Sequence, residues 1–314
     1  MNLGKPNLEV FADTLLELAQ QDADIFVVTG DSRGSARLGR FCETLPEQVV
    51  EVGIAEQNLV GISAGLAMAG KKVFAVSPAS FLTARGLEQI KNDIAYSDHP
   101  VKLIGISAGV SYGALGSTHH SLHDIATLQA INNIDILVPA DNFETREAIK
   151  TAADYTRPIY IRLGKKPMYD LHPPDAKFDI GKAIVLSEGI DVTFIATGET
   201  VSRAVMAGKL LSEQDISCGV IDIHTIKPLD KEAILAAAMN SRVLITVEEH
   251  SICGGLGATC ASLLLQEGVH RRFKIVGIPD EYTVTGSQEE IFTHYGITPQ
   301  GLAKTAIRLL QSEL

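Results

Sequence analysis

EVGIAEQNLVGISAGLAMAG, residues 51–70, decides the fold. Just before and within it, Val49, Val50 and Val52 make the apolar run of a strand buried on both faces. From Ala55 to Ala69 the apolar positions Leu59, Ile62, Leu66 and Ala69 shift to helical spacing. The stretch therefore reads as a strand end, a turn and a helix. Glu56 falls at the helix start among Ile54, Ala55 and Leu59. A carboxyl there is either a first-turn charge that complements the helix dipole or a sheltered acid of the kind that marks a site.

Working outward, the same alternation repeats. Apolar strand runs are expected at Ile25–Thr29, Val49–Val52, Val73–Val76, Val101–Ile106, Asp135–Val138 and Ile159–Ile161, with helices at Leu8–Gln20, Ala55–Ala69, Phe81–Tyr96 and Phe143–Tyr155. This is the signature of βαβ units and a mainly parallel sheet covered on both faces. After Arg162 the composition changes: Lys165, Lys166, Pro167, Pro173, Pro174 and Asp175 make a polar, proline-bearing stretch. A second series follows, with strands at Val192–Ala196, Ser217–Ile223 and Val243–Val247. Its helices are near Val201–Leu211, Lys231–Met239, Gly257–Leu265 and Thr298–Leu310. The expectation is an α/β protein of two domains, residues 1–163 and 179–314, joined by a linker at 164–178. Each domain has a mainly parallel sheet flanked by helices.

The bulk properties narrow the class. The 314 residues are 46% hydrophobic and 21% charged, and no apolar run has the length of a membrane span. The opening MNLGKPNLEVFADTLLEL lacks a basic segment ahead of an apolar core, which is not the pattern of a secretion signal. Cys42, Cys218, Cys253 and Cys260 are scattered, with no paired spacing for zinc or disulfides. The expected location is the reducing cytoplasm. A net charge of −11 disfavours nucleic-acid binding.

Several motifs fall in one order. Gly53-Ile54-Ala55-Glu56-Gln57, Ser80-Phe81-Leu82, His119 and Arg162 resemble, in order and approximate spacing, the marks of the transketolase family of thiamine-diphosphate enzymes. Gly254-Gly255-Leu256-Gly257 and Gly277-Ile278-Pro279-Asp280 resemble marks of that family's C-terminal domain. The resemblance covers nearly the whole chain but only about half of a full transketolase. It implies a pyrimidine-binding domain followed by a transketolase C-terminal domain.

The resemblance also assigns roles. Glu56 would be the acid that hydrogen-bonds the cofactor's aminopyrimidine ring nitrogen, favouring the imino tautomer that takes the thiazolium proton. Phe81 would pack on that ring; the plainer reading is an ordinary core Phe. His119 would contact substrate hydroxyls and move protons, as a group titrating near working pH can. With His120 and His123 it also spells H-H-x-x-H, a possible metal pattern, but His120 stands where a metalloprotease has Glu. Arg162, at a strand's carboxyl end, would hold a substrate phosphate; the alternative is a strand-end arginine paired to a carboxylate. Ser35 lies near the family's phosphate-contacting serine, and Asp31 follows a strand at the cofactor edge. The plainer reading of both is a polar turn.

The chain also departs from the pattern. Leu115 stands where transketolases carry an acid that reads donor stereochemistry, Ser107 replaces a second histidine, and Lys5-Pro6-Asn7 lacks an expected arginine. These changes point either to a non-phosphorylated, branched or otherwise atypical donor or acceptor sugar, or to a partner subunit that supplies the missing charge. Gly30-Asp31-Ser32 is present, but no Gly-Asp-Gly segment for the diphosphate and its Mg²⁺. The resemblance therefore implies a heterotetramer, in which a separate N-terminal subunit supplies the diphosphate side and the Mg²⁺ ligands and this chain also makes homodimeric contacts. The expected reaction is transfer of a two-carbon ketol unit from a ketose to an aldose. The rivals are the β subunit of a 2-oxo-acid dehydrogenase, a deoxyxylulose-sugar synthase and a silent scaffold subunit. An idle buried carboxyl would be costly, so Glu56 argues against the last.

Overall fold

The computed structural model describes residues 1–311. A seven-stranded sheet has the order Thr225–Lys227, Asp135–Leu137, Ile159–Arg162, Lys102–Ile106, Lys72–Pro78, Ile25–Thr29, Val49–Glu51. All neighbours are parallel except Thr225–Lys227 against Asp135–Leu137. A five-stranded sheet follows the order Arg272–Ile278, Val243–Ser251, Val192–Ala196, Cys218–Asp222, Ile184–Ser187, with only the last strand antiparallel. Two mainly parallel sheets flanked by helices are the architecture that the alternation predicts.

The position of the site follows from strand order. From Ile25–Thr29 the chain passes to one neighbour, Val49–Glu51, and then returns to the other side as Lys72–Pro78. A crevice opens beyond the carboxyl ends of strands where the order reverses, and open α/β sheets bind ligands there. Helix Glu56–Met68 starts at this crevice, and helix Ala79–Arg85 follows the strand on its other side.

The long helix expected over Phe81–Tyr96 is broken. Ala79–Arg85 ends at Gly86, and Leu87–Gln89 leads into a π-helical turn, Ile90–Tyr96. At Gly86 the backbone of one helix approaches the other closely. A Cβ there would stand 2.9 Å from the Leu82 carbonyl oxygen, 3.1 Å from Val60 Cγ2 and 3.4 Å from the Glu56 carbonyl oxygen. Glycine thus lets Ala79–Arg85 lie against the start of Glu56–Met68.

The two domains are knit together. The segment 164–178 contains a strand, Pro167–Tyr169, that pairs antiparallel with Leu3–Pro6. Thr225–Lys227, far beyond the expected boundary, joins the first sheet. One apolar cluster runs through Ile125, Leu128 and Ile136 to Ile223, Ile226 and Leu256. By contrast, the outer side of helix Glu56–Met68 is bare: Ile54 and Met68 are 72% and 71% exposed. Nothing lies within 4 Å of a Cβ built at Gly61 or Gly65.

Gly86→Val is expected to destabilise the chain by about 1–3 kcal/mol through overpacking. Urea unfolding measures this, and an unchanged midpoint would show that the helix contact is looser than described.

Candidate active site

Glu51 fixes the mouth of the crevice. Its carboxylate accepts from the Asp31 N–H at 2.7 Å, the Gly53 N–H at 3.3 Å and Arg33 Nε at 2.7 Å. Burial works to raise its pKa, but the Asp31 N–H and the Arg33 guanidinium outweigh it and hold the carboxyl below the usual range. Asp31, Arg33, Gly34, Glu51, Gly53 and Ile54 line a cleft of about 470 Å³. Asp31 thus faces the cleft, whereas Ser35 lies exposed on the following loop and is not among its lining residues.

Asp31 and Ser107 share an unusual backbone. Both are non-glycine residues at positive φ, +57° and +54°, directly beyond the carboxyl ends of Ile25–Thr29 and Lys102–Ile106. Such residues cost about 1–3 kcal/mol each and gather at functional sites. The Ser107 hydroxyl bonds the Tyr112 side chain, while that of Ser80, on the next strand's exit, is buried without a hydrogen-bond partner.

Glu56 is 6% exposed, with no capping side chain at its helix start. Its carboxylate accepts from Arg85 Nη1, at 3.0 Å to each oxygen. The same guanidinium lies over the Phe81 ring, its Cζ 4.3 Å from the centroid. The Phe81 ring meets His119 edge-on at 5.3 Å, and His119 meets Tyr112 edge-on at 5.5 Å. Lys165 Nζ sits 4.7 Å over the Tyr112 ring. The structure therefore brings Glu56, Phe81 and His119 into one row and adds Arg85, Tyr112 and Lys165. Sequence reasoning missed those three. Arg85 had a signal: it follows Phe81 by four positions on a helix, so the two share a face.

Arg162 lies apart from the row. It is 6% exposed and turned inward. Its Nε donates to Asp124 at 2.8 Å, and its Nη2 donates to the carbonyls of Ser121 at 3.1 Å and Glu249 at 2.8 Å. Asp124, fully buried, also accepts from the Tyr160 hydroxyl at 2.7 Å. Its Nε and Nη2 are thus committed to protein acceptors. In this arrangement Arg162 clamps the loop after His120 to the second domain.

Two other motifs have structural partners. His120 is buried between Thr283 Oγ1 at 2.7 Å and the Gly113 carbonyl at 2.9 Å, while His123 is exposed, so the H-H-x-x-H residues do not converge. The loop Gly254-Gly255-Leu256-Gly257 opens helix Leu256–Gln266. Its N–H groups at Leu256 and Gly257 donate to the Glu248 carboxylate at 2.7 and 2.8 Å. That helix start is filled by the chain's own acid, which a helix N-terminus favours. Burial nonetheless pushes Glu248 up to about 7.

Residues 6–169 match the family described as "Transketolase, pyrimidine binding domain" and residues 181–302 match "Transketolase, C-terminal domain". The chain is 52% identical over 302 residues to a subunit of the apulose-4-phosphate transketolase of Phocaeicola vulgatus, spanning 96% of each. It is 33% identical to a 6-deoxy-6-sulfo-D-fructose transketolase subunit of Clostridium sp. strain MSTE9, spanning 95% of this chain and 92% of that one. A solved structure described as "Split gene transketolase, inactive beta4 tetramer" superposes with a TM-score of 0.87 at 34% identity, over 98% of both chains. Fold and comparisons together define a transferase subunit of two α/β domains. The chain belongs to the transketolase family.

That family implies thiamine diphosphate, and the residues present fit its aminopyrimidine. The space between Glu56 and Phe81 already accepts a planar, nitrogen-bearing group, the Arg85 guanidinium. That group is hydrogen-bonded to the acid and lies over the aromatic face. An aminopyrimidine makes the same two kinds of contact.

Arg162→Met is expected to cost about 3–5 kcal/mol, because it leaves Asp124 buried without its cation. Thermal or urea unfolding of the variant checks this. A loss below about 1 kcal/mol, the worth of an exposed pair, would mean that the guanidinium is not the clamp.

Proposed function

We propose that this chain is the pyrimidine-side subunit of a thiamine-diphosphate-dependent transketolase, and that a separate diphosphate-binding subunit completes the cofactor cleft. The pair transfers a two-carbon ketol unit from a ketose to an aldose. The observation that carries this reading is the buried Glu56 carboxyl beside the Phe81 ring with His119 next in line. When bound, thiamine diphosphate supplies the carbanion equivalent that takes up the ketol unit.

The chain's own residues do the rest. Glu56 shares a proton with the pyrimidine nitrogen, from a place that water barely reaches. Phe81 holds the ring plane. Arg85 occupies the same space in the single chain, so it swings out through its half-exposed side, 48% accessible, when the pyrimidine enters. His119, braced edge-on by Phe81 and Tyr112, contacts substrate hydroxyls and relays their protons. Lys165, exposed over Tyr112, rather than the inward-turned Arg162, supplies the cation nearest this row for a substrate anion. Asp31 reaches the cofactor from the cleft mouth, and Ser35 contacts the substrate's far end if the partner folds that loop inward. Leu115 is 55% exposed, where a sugar hydroxyl would otherwise meet an acid. That apolar position favours a donor of unusual shape, and the ketose phosphate named for the Phocaeicola vulgatus relative is the first to assay.

The partner subunit would hold Mg²⁺ and the diphosphate, a reading supported by the lack of a Gly-Asp-Gly segment in this sequence. The bare face at Ile54, Gly61, Gly65 and Met68, on the helix that Glu56 begins, is where subunits meet in a heterotetramer. The assembly works in the reducing cytoplasm, a reading that rests on the four free cysteines. No helix among the described residues is long and apolar enough to cross a membrane.

Glu56→Ala in the assembled pair is expected to lower turnover by at least about 100-fold, the scale of a lost proton-sharing group. Its thermal midpoint should stay close to the parent's. Turnover within a few-fold of the parent would remove Glu56 from the reaction. Gly61→Leu, which improves helix propensity by about 0.5–1 kcal/mol, is expected to keep the single chain folded while lowering its assembly mass in light scattering. An unchanged assembly would place the interface elsewhere.

A further inference from the structure

The ketol-transfer reading leaves one buried polar cluster unused, at the junction between the domains. Asp141 caps helix Asn142–Asp154, and Glu144 lies in its first turn. His172 belongs to the segment that joins the domains, and Asp222 ends strand Cys218–Asp222 of the second sheet. Glu144 and Asp222 are fully buried and His172 is 8% exposed. One ligand atom of each of Glu144, His172 and Asp222 lies within 4.8 Å of the others. We propose that these three side chains form a buried site for a transition-metal dication, Zn²⁺ in first place, that joins the two domains.

The bonding around the cluster separates its groups into two kinds. Asp141 is satisfied. Its carboxylate accepts from the backbone N–H groups of Glu144 at 2.9 Å, Leu171 at 3.0 Å and His172 at 2.9 Å, and from His172 Nδ1 at 3.0 Å. Glu144 Oε2 is likewise used, accepting the Ala140 N–H at 2.8 Å. One atom is left over outright: His172 Nε2, fully buried, has no hydrogen-bond partner, and the Glu144 and Asp222 carboxyls beside it have only each other to bond with through a shared proton. Buried polar atoms without partners are rare and call for a bound species.

The spacing of His172 Nε2 from both acids suits a shared metal better than a hydrogen bond. His172 Nε2 is 3.8 Å from Glu144 Oε1 and 3.6 Å from an Asp222 oxygen. Both distances exceed hydrogen-bond length. Ligand atoms about 2.0–2.2 Å from a shared tetrahedral Zn²⁺ stand about 3.3–3.6 Å from one another, so the His172–Asp222 spacing matches and the His172–Glu144 pair closes by about 0.2 Å on an ion. Once the ion replaces the proton shared with Glu144, the Asp222 carboxylate can bind through two atoms and close a four-coordinate site. The Asp141 bond to Nδ1 fixes the His172 ring with Nε2 toward the ion, the carboxylate–histidine–metal arrangement of known sites.

Charge balance supports the same conclusion. Glu144 and Asp222 are adjacent acids in a dry place, and one dication neutralises both. Without an ion, the two carboxyls lie within hydrogen-bonding reach of one another and can coexist only by sharing a proton. A nitrogen ligand and full burial also distinguish this site from the hydrated Mg²⁺ that accompanies a diphosphate.

The test uses the full chain, stripped with chelator, refilled with Zn²⁺ or Co²⁺ and desalted. Plasma mass spectrometry is expected to find about one tightly held ion per chain, Co²⁺ to give a visible ligand-field band, and chelator to lower the thermal midpoint. Asp222→Asn, nearly the same shape, is expected to weaken retention at least about tenfold and abolish the band. Should that variant misfold, Glu144→Gln serves, since its amide oxygen still accepts the Ala140 N–H. His119→Ala should leave metal content unchanged. A chain that retains neither ion, or an unchanged band in both cluster variants, overturns the proposal and leaves the cluster a proton-sharing acid pair.

Discussion

A carboxyl removed from water must have a partner, and the contact between Glu56 and Arg85 is where this constraint shapes the molecule. The helix start provides no capping side chain, and the acid is 6% exposed. Arg85 reaches it because Gly86 lets the neighbouring helix lie close, with Phe81 one turn earlier on the same face. In the single chain the guanidinium satisfies the acid. Under the proposed function the cluster is half of a site, in which a planar cofactor group takes the guanidinium's place once the partner subunit is bound.

The surroundings hold this half-site still. Glu51 ties the loops carrying Asp31 and Gly53 together, and two strained residues bound the crevice. Behind it, Arg162 joins the loop after His120 to the second domain through Asp124 and the Glu249 carbonyl. The second domain also lends a strand to the first sheet. It therefore acts as a buttress for the histidine loop. Its glycine loop receives Glu248 and offers no nucleotide site.

Much of this was legible in the sequence, for physical reasons. Central parallel strands are apolar on both faces, so Ile25–Thr29, Lys102–Ile106 and Val192–Ala196 stand out as runs. Edge strands are less regular: Val49–Glu51 reads as a run buried on both faces but is a partly exposed edge strand, while Leu3–Pro6, Pro167–Tyr169 and Ile184–Ser187 are short and half-exposed, and Arg272–Ile278 carries charges at its start. An ordered set of motifs named Glu56, Phe81 and His119, which the fold brings into one row. Arg162 was named the same way, but its partner Asp124 lies 38 positions away with no local sign of the pairing. The contacts of Tyr112 and Lys165 are equally tertiary, and only folding brings them to His119.

Isothermal titration with thiamine diphosphate and Mg²⁺, on this chain alone and then mixed with its diphosphate-binding subunit, tests the half-site most directly. The account predicts saturable heat from the mixture and none from the single chain, where Arg85 fills the space beside Glu56 and Phe81. Equally tight, stoichiometric binding by the chain alone would contradict it.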